Sequence, residues 1–285
     1  MTASLLTPTA CAAPFDAVAG TYDATFTNSL IGRAQRSATW RELDRVFHSG
    51  QRVLEINCGT GVDAVHLAGR GVEVVACDVS PRMIEVARHR LSRTAPRAPI
   101  DFRVLATEEI ATLQDERPFD GAFSNFAGLN CVPNLPLVAS DLAQLLKPGA
   151  PAVLCFAGRY VAWEMLWYIM RGDARKAFRR LQYGPISARI AEGVTVEVHY
   201  PAVRELVRIF EPEFRLRRWM GVGVAVPPSY AEAQVRRFPS VMDVLEAIDR
   251  IVAGWPLVRG VADHVLLTFE RAEGVGVRRL PVTGA

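Results

Sequence analysis

Two acidic residues 23 positions apart, Glu55 and Asp78, each close an apolar run, and a glycine-bearing turn lies between them. The first run, Val53-Leu54-Glu55-Ile56, passes through Asn57-Cys58-Gly59-Thr60-Gly61 into a helical pattern that starts with Val62 and Asp63. Gly59 and Gly61 lack a Cβ and tolerate positive φ, so backbone at this turn can approach a ligand closely. The N-H groups of the following helix then point toward that ligand. The second run, Val72-Glu73-Val74-Val75-Ala76-Cys77, delivers Asp78 to the tip of a second strand. A carboxylate at that tip, beside the turn, suits the two hydroxyls of a ribose.

Two nucleoside-bearing cofactors compete for such a corner, because Gly59-Thr60-Gly61-Val62-Asp63-Ala64 also fits the G-x-G-x-x-A pattern of dinucleotide-binding folds. Glu55 separates them. A pyrophosphate would bring negative charge toward this acid, and Coulomb repulsion in a partly desolvated site disfavours that pairing. S-adenosylmethionine carries a sulfonium and an ammonium and no phosphate, so it tolerates the acid.

With these residues in view, the chain resembles the class I S-adenosylmethionine-dependent methyltransferases, whose first motif is hh[D/E]xGxGxG and whose second strand ends in an acid. The resemblance extends over about residues 15 to 158 and resumes from about 194 to 271. Asn57 stands in place of the first glycine and Asp63 in place of the last. Asn accepts left-handed geometry better than other non-glycine residues, so the turn is expected to persist. Asp63, near the start of a helix, is expected to favour its dipole and cap it.

The resemblance implies that Glu55, Asn57, Gly59 and Gly61 form the cofactor turn and that Asp78 binds the ribose. It implies adenine packing for Met83, with plain core packing as the alternative. An acid is common after the third strand, but Val104-Leu105-Ala106-Thr107-Glu108 has Ala106 there, which leaves Thr107 or Glu108 for the role. After the fourth strand, Asn125 matches a position that meets the methionine end, with a turn-forming asparagine as the alternative. The resemblance makes Tyr22, in Tyr22-Asp23, a candidate lid over the methionyl part of the cofactor, with packing of the N-terminal helix as the alternative. Arg36 is a candidate partner for the methionine carboxylate, its planar fork suiting that group, against the plainer reading of an exposed arginine.

Methyl transfer is an in-line displacement at carbon, for which the protein supplies mainly alignment and exclusion of water. A base helps when the acceptor is a hydroxyl or a protonated amine. His199 ends a strand-like run, Val194 to Tyr200, and is the candidate for that role, with a structural histidine as the alternative. His264 beside Asp263 reads as structural. Tyr160, Trp163, Trp167 and Tyr200 are candidates for an aromatic wall around the acceptor; Trp163, Trp167 and Met170 share one helical face, as core residues also would.

The elements that carry these residues alternate. Helical spacing covers 15 to 47, and strands at 53–57, 72–77, 100–105, 119–124 and 151–157 are interleaved with helices at 61–69, 81–92 and 136–146. Strand-helix alternation with near-continuous apolar strands means a parallel sheet covered on both faces. Insertions at 159–193 and 230–253 interrupt the rhythm, and helix 202–210 and strand 214–225 lie between them. The resemblance implies that the last strand, 264–270, runs antiparallel beside the fifth. The reading is an α/β, doubly wound, Rossmann-like methyltransferase sheet of seven strands, the last antiparallel, with helical cap insertions. It occupies residues 15–271, with 1–14 a disordered lead-in and 272–285 a flexible tail.

Composition bounds the function. The 285 residues are half hydrophobic, enough for one large domain, and the net charge of +3 is too mild to imply nucleic acid. Locally, 159–219 holds 12 Lys/Arg against 7 Asp/Glu. A basic amphipathic segment of this kind suits peripheral contact with an anionic membrane or an acidic carrier, and equally a solvated face. Cys11, Cys58, Cys77, Cys131 and Cys155 have no metal-ligand spacing and read as reduced thiols of a cytoplasmic protein. No signal peptide or membrane-spanning run is apparent. The expected acceptor is a small to medium, largely apolar molecule, methylated on oxygen or nitrogen. A non-catalytic S-adenosylmethionine-binding protein and an NAD-dependent oxidoreductase are the alternatives.

Overall fold

The computed structural model describes residues 12–273. Most of the expected lead-in and nearly all of the expected tail lie outside them. The chain order is α1 (Ala12–Tyr22), a π-helical turn (Asp23–Thr27), α2 (Leu30–Val46), β1 (Arg52–Ile56), α3 (Val62–Ala68), β2 (Glu73–Asp78), α4 (Pro81–Thr94) and β3 (Ile100–Val104). Then come β4 (Gly121–Ser124), α5 (Leu135–Leu145), β5 (Pro151–Ala157), α6 (Ala162–Ile169), α7 (Ala174–Ala177), β6 (Ile186–Ala191) and β7 (Val194–Val198). The last elements are α8 (Val203–Phe210), β8 (Phe214–Val222), α9 (Glu232–Val235), α10 (Pro239–Val252) and β9 (His264–Arg271).

Seven strands form one sheet in the order β3-β2-β1-β4-β5-β9-β8. The first five are parallel, and β9 inserts antiparallel between β5 and β8. Alternation along the buried strands feeds two cores. Leu54, Ile56, Val75, Leu154 and Phe156 face one set of helices. Val53, Val74, Phe123, Val153 and Cys155 face the other. With both faces covered, a polar strand residue is costly, which is why these runs read as nearly unbroken apolar segments.

Helix starts follow local chemistry. Ser29 accepts from Gly32 N at 2.9 Å and Ser80 from Met83 N at 3.1 Å, with Pro81 at the first turn of α4. Alpha-1 begins at Ala12, so residues 12–14 belong to a helix rather than to a lead-in. The segment after β5 is not wholly helical: β6 and β7 pair as an antiparallel hairpin outside the main sheet. The turn at Gly184 and the polar, half-exposed face of 186–191 weaken the strand signal there, and only β7 was legible as a strand.

Candidate active site

Strand order reverses between β1 and β4, and ligands of open α/β sheets bind beyond the strand ends at such a point. A cavity of about 910 Å³, part of it open to solvent, lies there. Its floor is the turn after β1. Asn57, Gly59 and Gly61 all adopt left-handed backbone, with φ of 59°, 53° and 72°. The substituted asparagine therefore keeps the turn. The two glycines serve different ends. A Cβ on Gly61 would stand 2.6 Å from the Phe102 ring, so that glycine lets α3 pack on the sheet, whereas a Cβ on Gly59 would meet nothing within 4 Å. Since Gly59 lines the cavity, its open side is where a ligand can approach backbone.

Asp78 stands on the cavity wall, buried, with its carboxylate accepting from Gly59 N at 2.8 Å and Ser80 N at 2.9 Å. Burial pushes its carboxyl up, and those two N-H groups pull it back. Each carboxylate oxygen keeps acceptor capacity for a ligand hydroxyl. Met83 and Val79 contribute apolar surface beside it, and Thr107, held by Asn57 Nδ2 at 2.8 Å, and Glu108 continue the wall.

Beyond the fourth strand, the buried Asn125 donates to Thr39 Oγ1 at 2.9 Å and to Asp63 Oδ2 at 3.1 Å. Asp63 also pairs with Arg36 Nη1 at 2.6 Å and accepts from Trp40 Nε1 at 2.6 Å. Asp63 does not cap α3, where Gly61 is the N-cap residue and makes no side-chain bond. It is the hub of a buried network. The reading of Arg36 as an exposed surface arginine is likewise corrected: it is buried, and its guanidinium lies 4.5 Å from the Phe126 ring centroid. Phe126 and Ala127 follow at φ 51° and 65°, two consecutive non-glycine residues in left-handed geometry on the cavity wall. Such strain concentrates at functional sites.

Alpha-1 walls the cavity through Phe15 and Tyr22, and the π turn follows it. They are tied down at two points. Asp16 accepts from Ser80 Oγ and from Arg82 N, and Asp23 accepts from Thr60 Oγ1 at 2.8 Å and pairs with Arg90. Burial pushes the Tyr22 phenol up to about 12, so it stays protonated at neutral pH.

Of the cofactor candidates, Tyr22, Arg36, Asn57, Gly59, Asp78, Met83, Thr107 and Asn125 line this cavity; Gly61 and Glu55 do not. Glu55 is buried behind the turn, with Oε2 unpartnered. Desolvation, then the charge of Asp63, pushes its carboxyl well above the carboxylate range. That weakens the charge argument made on Glu55 against a pyrophosphate; the acids near the turn that face ligand are Asp78 and Asp63. Asp16, Asp23, Asp63 and Phe126 were missed. The seven-residue spacing of Asp16 and Asp23, which sets both on one helix face, was a usable signal, but nothing local marks Phe126.

The acceptor candidates separate into two groups. Tyr160, His199 and Tyr200 line a second groove, which shares Val132 as a wall residue with the first cavity. The buried Asn130 fixes this groove: its amide donates to His199 O at 2.6 Å, and its carbonyl oxygen accepts from Ala157 N at 2.9 Å. Trp163 and Trp167 line neither space. The Trp163 indole donates to Val224 O and Ala225 O, and Trp167 packs on Tyr230 at 5.5 Å between ring centroids. The basic cluster is also divided. Arg179 and Arg180 pair with the buried Glu164 at 2.9 and 2.6 Å, while Arg171 stacks on Trp167.

Residues 53–149 match the family model described as a methyltransferase domain. A demethylmenaquinone methyltransferase from Clavibacter sepedonicus is 36% identical over 152 residues, 52% of this chain and 58% of that protein. A ubiquinone biosynthesis O-methyltransferase from Xylella fastidiosa is 36% identical over 122 residues, 43% of this chain and 48% of that protein. The matches thus span about half the length of these relatives. A solved S-adenosylmethionine-dependent methyltransferase structure from Listeria monocytogenes shares the fold, with a TM-score of 0.56 at 16% identity over 82% of this chain and 96% of that one. Residues 53–149 thus match a methyltransferase domain, and the sheet that carries them has the fold of solved S-adenosylmethionine-dependent methyltransferases.

Proposed function

We propose that this chain is an enzyme that transfers the methyl group of S-adenosylmethionine to oxygen or nitrogen of a small, largely apolar acceptor. The observation that carries the reading is the pairing of Asp78 with the open side of Gly59 in one cavity. The donor set suits the ligand throughout: an acid for the ribose diol, Met83 and Val79 for adenine, and Arg36 with Asn125 for the amino-acid end. When bound, the cofactor supplies a methyl carbon already activated by its sulfonium.

The chain's own residues do the rest. Asp78, held by two backbone N-H groups, fixes the nucleoside; Arg36, itself held by Asp63, orients the carboxylate. Tyr22 and Phe15 exclude water from above. The acceptor enters along the groove of Tyr160 and Tyr200, and His199 takes the proton of a hydroxyl acceptor. Relatives named for demethylmenaquinone and ubiquinone biosynthesis make hydroxylated, quinone-type rings the first acceptor class to test.

Calorimetry with S-adenosylhomocysteine tests the cofactor site. Wild type binds it, Asp78→Ala weakens binding by about 1.5 to 3 kcal/mol, the scale of hydrogen bonds to charged groups, and NAD gives no heat. A wild-type protein that ignores S-adenosylhomocysteine overturns the reading. Incubation with labelled methyl donor and a panel of hydroxylated aromatic rings tests the transfer itself: labelled product that disappears in His199→Ala supports the assigned base, and undiminished labelling removes it.

A further inference from the structure

A groove of about 600 Å³, part of it open to solvent, lies where α2, β8 and the end of α10 meet, and it shares no wall residue with the two spaces described above. Four arginines line it from three elements: Arg41 and Arg45 of α2, Arg218 of β8 and Arg250 of α10. The acids on its wall, Glu42 and Asp249, are already engaged. Glu42 accepts from Arg45 at 2.7 and 3.0 Å and from Thr268 Oγ1 at 2.6 Å, with Arg218 Nε 3.9 Å away. Asp249 accepts from Ala225 N at 2.6 Å and Val226 N at 3.3 Å. The side chains of Arg41 and Arg250 make no hydrogen bond or ion pair among the described residues. Burial, then the charge of Arg250, pushes the Arg41 guanidinium down, and Glu246 and Asp249 pull it only part of the way back. Arginine does not shed its proton to escape such a neighbour, so an anion from outside is what relieves the pair. Beneath the cations, Ala38, Met220, Gly221 and Ala253 supply an apolar floor, held by the bond from Gly221 N to Ala253 O at 2.8 Å.

We propose that this groove binds a phosphate monoester, its phosphoryl group bridging Arg41 and Arg250 and its organic part lying on Ala38, Met220 and Ala253. Four guanidiniums against two carboxylates leave two positive charges uncancelled on the wall. A phosphate monoester near neutral pH brings close to two negative ones on a single group. Guanidinium forks also match phosphate oxygens with paired N-H donors. A carboxylate ligand carries half of that charge and bridges two facing cations less well. The site stands apart from the proposed methyl transfer, because S-adenosylmethionine has no phosphate.

Titration calorimetry of the full chain with phenyl phosphate tests this. Wild type binds it, and Arg41→Gln and Arg250→Gln each weaken binding about tenfold or more, the scale of one charge-assisted hydrogen bond. Arg175→Gln, an exposed arginine outside the groove, leaves the affinity unchanged. Phenyl sulfate, with one negative charge, binds at least about tenfold more weakly than phenyl phosphate. Since each groove variant also removes a repulsion, both melt no lower than wild type, which separates lost binding from lost fold. Sedimentation with phosphatidic acid vesicles distinguishes the source of the phosphoryl group. Heat from phenyl phosphate identifies a soluble ester, whereas vesicle binding without that heat, lost in both groove variants, identifies a lipid headgroup. A wild type that binds neither overturns the proposal, as does binding that survives both variants or an equal affinity for the sulfate.

Discussion

The two sides of the site are built by different means. On the cofactor side, charged groups sit below the surface and each is held by several others: Asp63 by Arg36, Trp40 and Asn125, Asp78 by two backbone N-H groups. Asp63, Asp78 and Asn125 lie at or just beyond the ends of parallel strands, and Arg36 and Trp40 reach them from α2. On the side proposed for the acceptor, the insertion after β5 uses its charges to hold itself together. Glu164 binds two arginines, and Arg159 spans the carbonyl groups of Tyr200 and Leu181. Its groove presents aromatic rings, Tyr160 half exposed among them. The contrast teaches where each kind of recognition belongs. An invariant ligand is met by groups on a rigid frame, and a particular acceptor by side chains on a segment that can change without disturbing the frame.

The sharpest way to break this comparison is Asp63→Ala. If the buried network is a structural keystone, Arg36 is left charged and unpaired, and denaturant titration should register a loss of about 3 to 5 kcal/mol. Arg36→Met in the same chain should recover much of it; an Asp63→Ala protein of wild-type stability would mean that the network does not bear on the fold.

Trp163→Ala probes the other side. With its indole bonded to Val224 and Ala225 carbonyl oxygens, the tryptophan should act as a cap strut, and its truncation should cost about 2 to 4 kcal/mol. Turnover per folded molecule should stay near wild type. Unchanged melting with impaired acceptor use would return Trp163 to the pocket.

Gly59→Ala has a smaller effect on the fold and a larger one on binding. A Cβ in left-handed geometry costs about 1 to 2 kcal/mol, but it projects into open cavity, so S-adenosylhomocysteine affinity should fall at least about tenfold. Equal affinity in the variant would shift the ligand away from the turn.

The smallest effect is that of Glu55→Gln. Burial raises the native carboxyl of Glu55, so its contribution to stability is full below the unfolded value near ~4.3 and is lost as pH climbs through the native one. The variant cannot ionise. Its advantage over wild type in urea midpoints should therefore grow as pH rises above the unfolded value, and a difference that stays constant with pH would show that Glu55 does not titrate with a raised native value.

What the sequence alone determined is whatever a short stretch of chain decides for itself. Strand runs buried on both faces, the serine and proline starts of helices, and a turn demanding left-handed backbone at Asn57, Gly59 and Gly61 are written in residue types a few positions apart. From these the sheet and most of the cofactor wall were legible. Tertiary structure decided what depends on distant segments meeting. Arg36 and Asp63 are 27 residues apart and Asp63 and Asn125 62 apart, so the network that joins them, and the burial of an arginine that also read as exposed and of an aspartate that read as a cap, could not be seen until the helices packed. The same holds in the cap, where Trp163 and Tyr160 have similar local patterns and face different neighbours. Desolvation completes the list, because Glu55 looks like a charge in sequence and only its burial beneath the turn raises the cost of carrying one.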